Sequence, residues 1–261
     1  MQPPFTLDLQ WPASPCHFRW QLTLKYKQQL LEFQSEEEEG KAPVGALECV
    51  AFWVETINDQ CFPYSTKQHA SMVLTKHTWD RSTLTLGFAF DCLNVPQDCL
   101  WPLLALLSQT HYAYEPIRTL ELKLNQFNGP TLTVSKFFEG RSNGLRYLDD
   151  YPFTIQDWPP EHWHRVDIHY RLTKPLSHDD RERVSDTLNT WDHLHVLGGF
   201  HFEFTEIDLI PFNPIRQTDH HTMTLHLSNY QGHPTGTQTL LNLGLGLYDS
   251  PNPLQSISFE L

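Results

Sequence analysis

Basic residues are scarce in this chain. Of 261 residues, 18 are Lys or Arg against 31 Asp or Glu, a formal charge of −13. A general binder of phosphate backbones needs clustered cations to displace counterions, so this balance argues against nucleic acid as a partner and favours a basic protein. Cysteine is also sparse. Cys16, Cys49, Cys61, Cys92 and Cys99 make an odd five with no C-x-x-C pair, whereas a secreted disulfide framework is more often even and denser. Cys49 and Cys92 sit in apolar runs and read as buried thiols. No stretch approaches the roughly eighteen apolar residues of a membrane helix. The opening "MQPPFTLDLQWPAS" has neither the positive region nor the apolar region of a signal peptide. The expectation is a cytoplasmic protein with no membrane partner. There is no G-x-S-x-G elbow, and no cysteine stands in a Cys/His context that would mark it as a nucleophile.

Aromatic residues are plentiful, at 13%, with eight Trp and sixteen Phe. With 39% hydrophobic and 19% charged residues the chain has the composition of a folded protein, with an aromatic core in one large domain or two small ones. "FRWQLTLKY" alternates Phe18, Trp20, Leu22, Leu24 and Tyr26 with polar residues, which predicts a strand. "GALECVAFWVETI" is almost continuously apolar and reads as a more deeply buried strand. Between them Glu36–Glu39 are four like charges in succession, a solvated loop. "STLTLGFAFD" predicts a strand with Leu84, Leu86, Phe88 and Phe90 on one side. A short helix within "QDCLWPLLALLSQ" can take Pro102 in its first turn. "RTLELKLN" and, after Asn128-Gly129-Pro130, "TLTVSKFF" predict two further strands.

The strand, helix, strand, strand order then recurs. "RVDIHYRL" alternates Val166, Ile168, Tyr170 and Leu172 with Arg165, Asp167, His169 and Arg171. Ser177 and Asp180 form a capping-box start, and Val184, Leu188 and Trp191 follow at helical spacing. After Gly198-Gly199, Phe200, Phe202 and Phe204 alternate with His201 and Glu203, and "TMTLHLS" sets Met223, Leu225 and Leu227 against Thr224 and His226. The expected class is α+β, a mainly antiparallel sheet with helices on one face, built from two βαββ (ferredoxin-like) pseudo-repeats. The division follows: an N-terminal half over 1–140, a connector over 141–163 containing Pro159-Pro160, and a C-terminal half over 164–261, all within reach of one compact domain. The Gly-x-Gly of "TQTLLNLGLGLYDSPNP" lacks the strand before and capped helix after that a phosphate loop needs.

Residues two apart on a strand share a face. Asp167, His169 and Arg171 therefore point together, as do His201 with Glu203, and Thr224 with His226 and Ser228. On one sheet, these six residues (Asp167, His169, Arg171, His201, Glu203 and His226) would make a polar binding face, and His169, His201 and His226 its candidate acid–base groups. His162-Trp-His164 and His193-Leu-His195 have a spacing that can seat two metal ligands, but no third ligand is evident, so neither a metal nor any other cofactor is expected. Trp158, Trp163 and Trp191 read as packing, not as a stacking platform, because no basic residues interleave with them.

Two functions follow. The leading one is a non-enzymatic protein-interaction module, an acidic neutraliser of a basic protein with the general character of bacterial immunity proteins. The alternative is a hydrolase, metal-assisted or of the phosphoester type. "TLHLS" around His226 resembles one arm of the H-x-[ST] signature of the two-histidine phosphoesterases. That resemblance implies two related α+β lobes with two such motifs facing each other. The second arm would lie in "DIHYRL", where position 171 is Arg in place of Ser or Thr.

Overall fold

The computed structural model describes residues 3–12, 18–27, 44–58, 71–80, 82–91, 100–113, 116–125, 127–132, 134, 151–157, 163–200, 212–230 and 234–261. The chain divides into two compact units, both α+β. The first carries β1 (Thr6–Leu9), β2 (Trp11–Pro12), β3 (Phe18–Tyr26), α1 (Val44–Asn58), β4 (Ser71–Asp80), β5 (Thr83–Asp91), α2 (Leu100–Ala113), β6 (Ile117–Asn125) and β7 (Thr131–Leu132). The second carries β8 (Thr154–Gln156), β9 (Trp163–Leu172), α3 (His178–Val196), β10 (Ile215–Gln217), β11 (Thr222–Tyr230), α4 (Pro234–Tyr248) and β12 (Leu254–Glu260).

In the first unit the sheet order is β1-β6-β3-β5-β4. Strands β6, β3, β5 and β4 pair antiparallel, and β1 joins the edge of β6 in parallel. Trp20 of β3 stacks on Phe88 of β5 at 4.5 Å, and Trp53 of α1 meets Trp20 edge-on at 5.7 Å. All three are buried, so the aromatic excess of the sequence becomes the joint between helix and sheet.

One reading of this region is corrected. "GALECVAFWVETI" is the helix α1 and not a strand. A continuous apolar run does not distinguish the two by itself. What decides is Ala46, Val50, Trp53 and Ile57, all buried and spaced four, three and four residues apart, which is a helical stripe. Of "TLTVSKFF", Thr131–Leu132 are a strand paired with Trp11–Pro12, and residues 133 and 135–138 lie outside the described residues. The helix with Pro102 in its first turn is present, and residues 100–108 are buried in succession. The Glu36–Glu39 run, Cys16, Cys61, Cys92, Cys99, the side chain of Phe90, and Pro159-Pro160 with Trp158 lie outside the described residues. Cys49 lies on α1, half-buried where full burial was expected.

In the second unit the order is β10-β11-β9-β12-β8, antiparallel except for β8, which runs parallel to β12. The expected single, mainly antiparallel sheet is therefore corrected to two five-stranded sheets, each mixed, beside the two-stranded pair of β2 and β7, among the described residues. In both units a short segment preceding the first long strand adds itself in parallel outside the last one, and segments of four and three residues carry too little periodicity to be recognised. Val166, Ile168, Tyr170 and Leu172 of β9, Leu225 and Leu227 of β11, and Ile257 and Phe259 of β12 are buried. The helices lie against this apolar face: the Tyr170 hydroxyl donates to the Leu240 carbonyl of α4 at 2.9 Å, and the Trp191 indole of α3 donates to the Gly236 carbonyl at 2.7 Å. Burial at Tyr170 pushes its phenol up, so it remains a donor. A one-residue slip of β9 would expose four large side chains, a cost on the order of 6 kcal/mol or more. The register is fixed by that face.

Helix α3 begins with the capping box read from the sequence. Asp180 N–H donates to Ser177 Oγ at 3.1 Å, and Ser177 N–H donates back to Asp180 Oδ2 at 3.0 Å. Asn252 and Arg183 also donate to the Asp180 carboxylate. Burial would raise that carboxyl, but the bonds from Asn252, Ser177 and Arg183 together outweigh it and hold it at about 2. At the other end of the unit the Gly-x-Gly run is inside helix α4, not in a loop. A Cβ on Gly244 would come within 2.9 to 3.0 Å of Phe153, Ile257 and Leu254, whereas one on Gly246 meets nothing within 4 Å. Close approach of α4 to the sheet explains the first glycine.

Ser177→Ala should cost about 1 kcal/mol in urea unfolding. The Asp180 contribution is complete above the unfolded carboxylate range near pH ~4 and is lost as pH falls through about 2. Asp180→Asn should therefore flatten stability over that interval. Gly246→Ala should gain about 0.5–1 kcal/mol from helix propensity, while Gly244→Ala should fall below it by about 1–3 kcal/mol from overpacking. Equal melting temperatures for the two glycine variants would contradict this packing.

Candidate functional site: the polar face of the second sheet

The alternation that buries one side of β9, β11 and β12 turns the other side into a polar face. In the antiparallel register, His226 of β11 lies opposite Asp167 of β9, and Thr224 lies opposite His169. On the other flank of β9, Glu260 of β12 lies opposite Asp167 and Ser258 lies opposite His169. Opposed residues share a face, so Asp167, His169, Arg171, His226, Ser258 and Glu260 are brought together. His169 and His226 are diagonal neighbours, roughly 7 Å apart in strand geometry. His201 and Glu203 lie outside the described residues.

Each imidazole is held by the sheet. His226 Nδ1 contacts Asp167 Oδ1, with the two side chains 20% and 26% exposed. A carboxylate accepts only, so the proton of a neutral His226 sits on Nδ1 and leaves Nε2 as the acceptor. His169 Nδ1 lies 2.8 Å from Thr224 Oγ1, and its Nε2 lies 3.3 Å from Glu260 Oε2. Thr224 in turn shares a 2.9 Å bond with Thr218 Oγ1. These contacts bury Thr224 completely, and Thr222 and Ser256 are also buried. The centre of the face is thus a closed hydroxyl and imidazole network, drier than the wet face expected from alternation alone.

Arg171 sits beyond this centre. Its guanidinium donates to Asp219 Oδ2 at 3.3 Å and to Thr222 Oγ1 at 3.4 Å. Asp219 also accepts from the His221 backbone N–H at 2.6 Å and from the Thr222 hydroxyl at 3.0 Å. The His221 bond, then Thr222 and Arg171, outweigh desolvation and hold the Asp219 carboxyl below the usual range. Arg165, opposite Ser228, and Arg216, opposite Thr224, are exposed on the same side. These are residues that sequence reasoning missed. Arg165 was legible as the start of the β9 alternation. Arg216 and Asp219 lie in a short strand and turn with no periodic signal.

The H-x-H pairs do not form a site. His193 and His195 are on helix α3, where residues two apart point about 200° away from each other. His193 is exposed beside Phe212, while His195 is buried and stacked on Trp191. His162 and the side chain of His164 lie outside the described residues. Among the described residues no group of three or more His, Cys, Asp or Glu is placed to hold a metal ion. The two arms of the H-x-[ST]-like pattern, His226-x-Ser228 and His169-x-Arg171, are on neighbouring strands of one sheet, not one in each unit. Among the described residues no helix is long and apolar enough to cross a membrane.

No protein-family model matches the chain, and neither does a curated protein or a solved structure. The residues themselves carry the functional reading.

The Asp167 contact makes a specific demand on His226. In 15N-detected spectra of the neutral ring, His226 should be the Nδ1–H tautomer, and Asp167→Ala should shift it toward the commoner Nε2–H form. A His226 already in the Nε2–H form in the wild type would contradict the contact.

Proposed function

We propose that this chain is a non-enzymatic protein-interaction module that docks its partner on the polar face of β9, β11 and β12. The carrying observation is the charge pattern of that face. Arg165, Arg171 and Arg216 are interspersed with Asp167, Asp219 and Glu260, so formal charges of both signs balance on the face of a chain that totals −13. A polyanion such as nucleic acid favours one sign along its track. A mosaic of both signs among hydroxyls, with imidazoles fixed by the sheet, suits the polar surface of another folded protein. The acidic remainder of the chain would attract a basic partner over distance, as in a neutralising protein of the immunity type working in the cytoplasm.

The same reading treats the two units as pseudo-repeats of a ferredoxin-like kind. What supports it is that each contains strand, helix, two strands, helix and strand in that order, with the long strands in equivalent sheet order.

A second reading, phosphoester hydrolysis, is favoured by one contact. Asp167 fixes the His226 ring with Nε2 outward, the way a carboxylate orients a general base, with His169 as its diagonal neighbour.

One experiment separates the two. Full-length protein with and without the pair Arg171→Glu and Glu260→Arg is used to retrieve partners at low and high salt, and both forms are assayed on a 2′,3′-cyclic phosphodiester. The interaction reading expects one basic protein bound to the wild type, lost from the variant and weakened by salt, with no turnover. Turnover abolished by His226→Ala, with no retained protein, would replace it with the hydrolase.

A further inference from the structure

Hydroxyls and imidazoles can each exchange the role of acceptor for that of donor without moving a heavy atom. The polar face of the second unit joins both kinds in one line. His169 Nε2 lies 3.3 Å from Glu260 Oε2, its Nδ1 lies 2.8 Å from Thr224 Oγ1, and Thr224 Oγ1 lies 2.9 Å from Thr218 Oγ1. Thr224 is buried at the middle of this line, while Glu260 and Thr218 are exposed at its ends.

The Glu260 end sets the direction of the protons. A carboxylate only accepts, so a neutral His169 carries its proton on Nε2 and accepts at Nδ1. Thr224 then donates to His169, Thr218 donates to Thr224, and Thr218 turns its lone pairs outward. A proton added to His169 reverses the line. Its Nδ1–H donates to Thr224, and the Thr224 hydroxyl donates to Thr218. The Thr218 hydrogen is thereby released, since the Thr222 carbonyl at 3.5 Å is at the limit of a hydrogen bond. His226 changes in the same sense. Neutral, it gives Nδ1–H to Asp167 and presents a bare Nε2; protonated, it presents an N–H there.

The charge of the face changes in step. Among the described residues the charged groups on the side of the two rings are Arg165, Asp167 and Arg171 of β9, Glu260 of β12, Arg216 of β10, and Asp219 in the turn before β11. Three cations and three anions balance while the rings are neutral. Protonation of both rings adds two positive charges. Imidazoles are the side chains that ordinarily make this change between roughly pH 5 and 8.

Resting on the docking reading above, we propose that the polar face is a proton-operated docking site. With both imidazoles neutral it offers two acceptors, His226 Nε2 and Thr218 Oγ1, to the Lys and Arg donors of a basic partner. With both protonated it offers donors and added positive charge in their place, and the partner is released.

The test uses the 15N-labelled full chain and oligolysine as the probe. At about pH 7.5 the peptide should shift the backbone amides of Arg216, Thr218, Thr224 and His226, and at about pH 5.5 it should bind at least about tenfold more weakly. The chain has 15 histidines, so the pair is isolated in the double variant His169→Gln with His226→Asn, in which neither position can gain a proton. The variant should bind more weakly than wild type at about pH 7.5 but within about twofold of the same affinity at both pH values. Equal binding by the wild type at both pH values, or the same fall in wild type and variant, would overturn the switch and leave the docking reading intact. Oligolysine that shifts no residue of the face at about pH 7.5 would overturn the docking reading itself. A second measurement needs no variant: the ring nitrogens of His169 and His226 should gain their protons over the interval in which the peptide leaves. Rings still neutral once it has left would contradict the proposal.

Discussion

The second unit depends on one constraint: its sheet can be sealed on a single side only. Helices α3 and α4 cover the face that carries Ile168, Tyr170, Leu225 and Ile257; the Tyr170 hydroxyl ties the sheet to α4, and the Trp191 indole ties α3 to α4. Because side chains alternate strictly, that burial also decides the direction of every residue between them. Asp167, His169, Thr224, His226 and Glu260 are neighbours because their apolar companions have to be. The polar face is a consequence of core packing before it is anything functional.

What the face then does with its polarity is local chemistry. Thr224 is buried yet bonded to both His169 and Thr218, and the Asp167 carboxylate meets the His226 ring. A buried hydroxyl or a half-buried imidazole without such partners would cost more than the fold could spare. The network fixes the rings in place and leaves the charged rim of Arg165, Arg216 and Glu260 facing outward. A rigid centre with a mixed rim is a surface suited to recognising another surface.

Much of this was legible wherever burial is one-sided. β3, β5, β6, β9 and β11 declare themselves by alternation, α3 by its capping box and by Val184, Leu188 and Trp191, and the shared side of His169 and His226 follows from those patterns once their strands lie in one sheet. Legibility fails where burial is not one-sided. Helix α1 is apolar enough all round to pass for a buried strand, and only the spacing of Ala46, Val50, Trp53 and Ile57 betrays it. Strand β4 was missed for the opposite reason, since both of its faces are open from 73 to 78 and no alternation is imposed on it. β12 was hidden behind small residues: Ser256 is buried although polar, which blurs the period of "LQSISFE". Helix α4 was obscured by Gly244 and Gly246, of which the packing requires only the first. In the site, the ring-to-carboxylate contact needs the register between β9 and β11, which depends on which residues face each other across strands and is not written in either segment alone.

The most direct measurement of the central claim is the set of nuclear Overhauser contacts across β9 and β11 in isotope-labelled protein. The account predicts contacts from the His226 ring to the β-protons of Asp167, and from the His169 ring to the methyl group of Thr224. Contacts from the His226 ring to Val166 or Ile168 instead would mean that the strand has slipped by one residue, and the polar face described here would not exist.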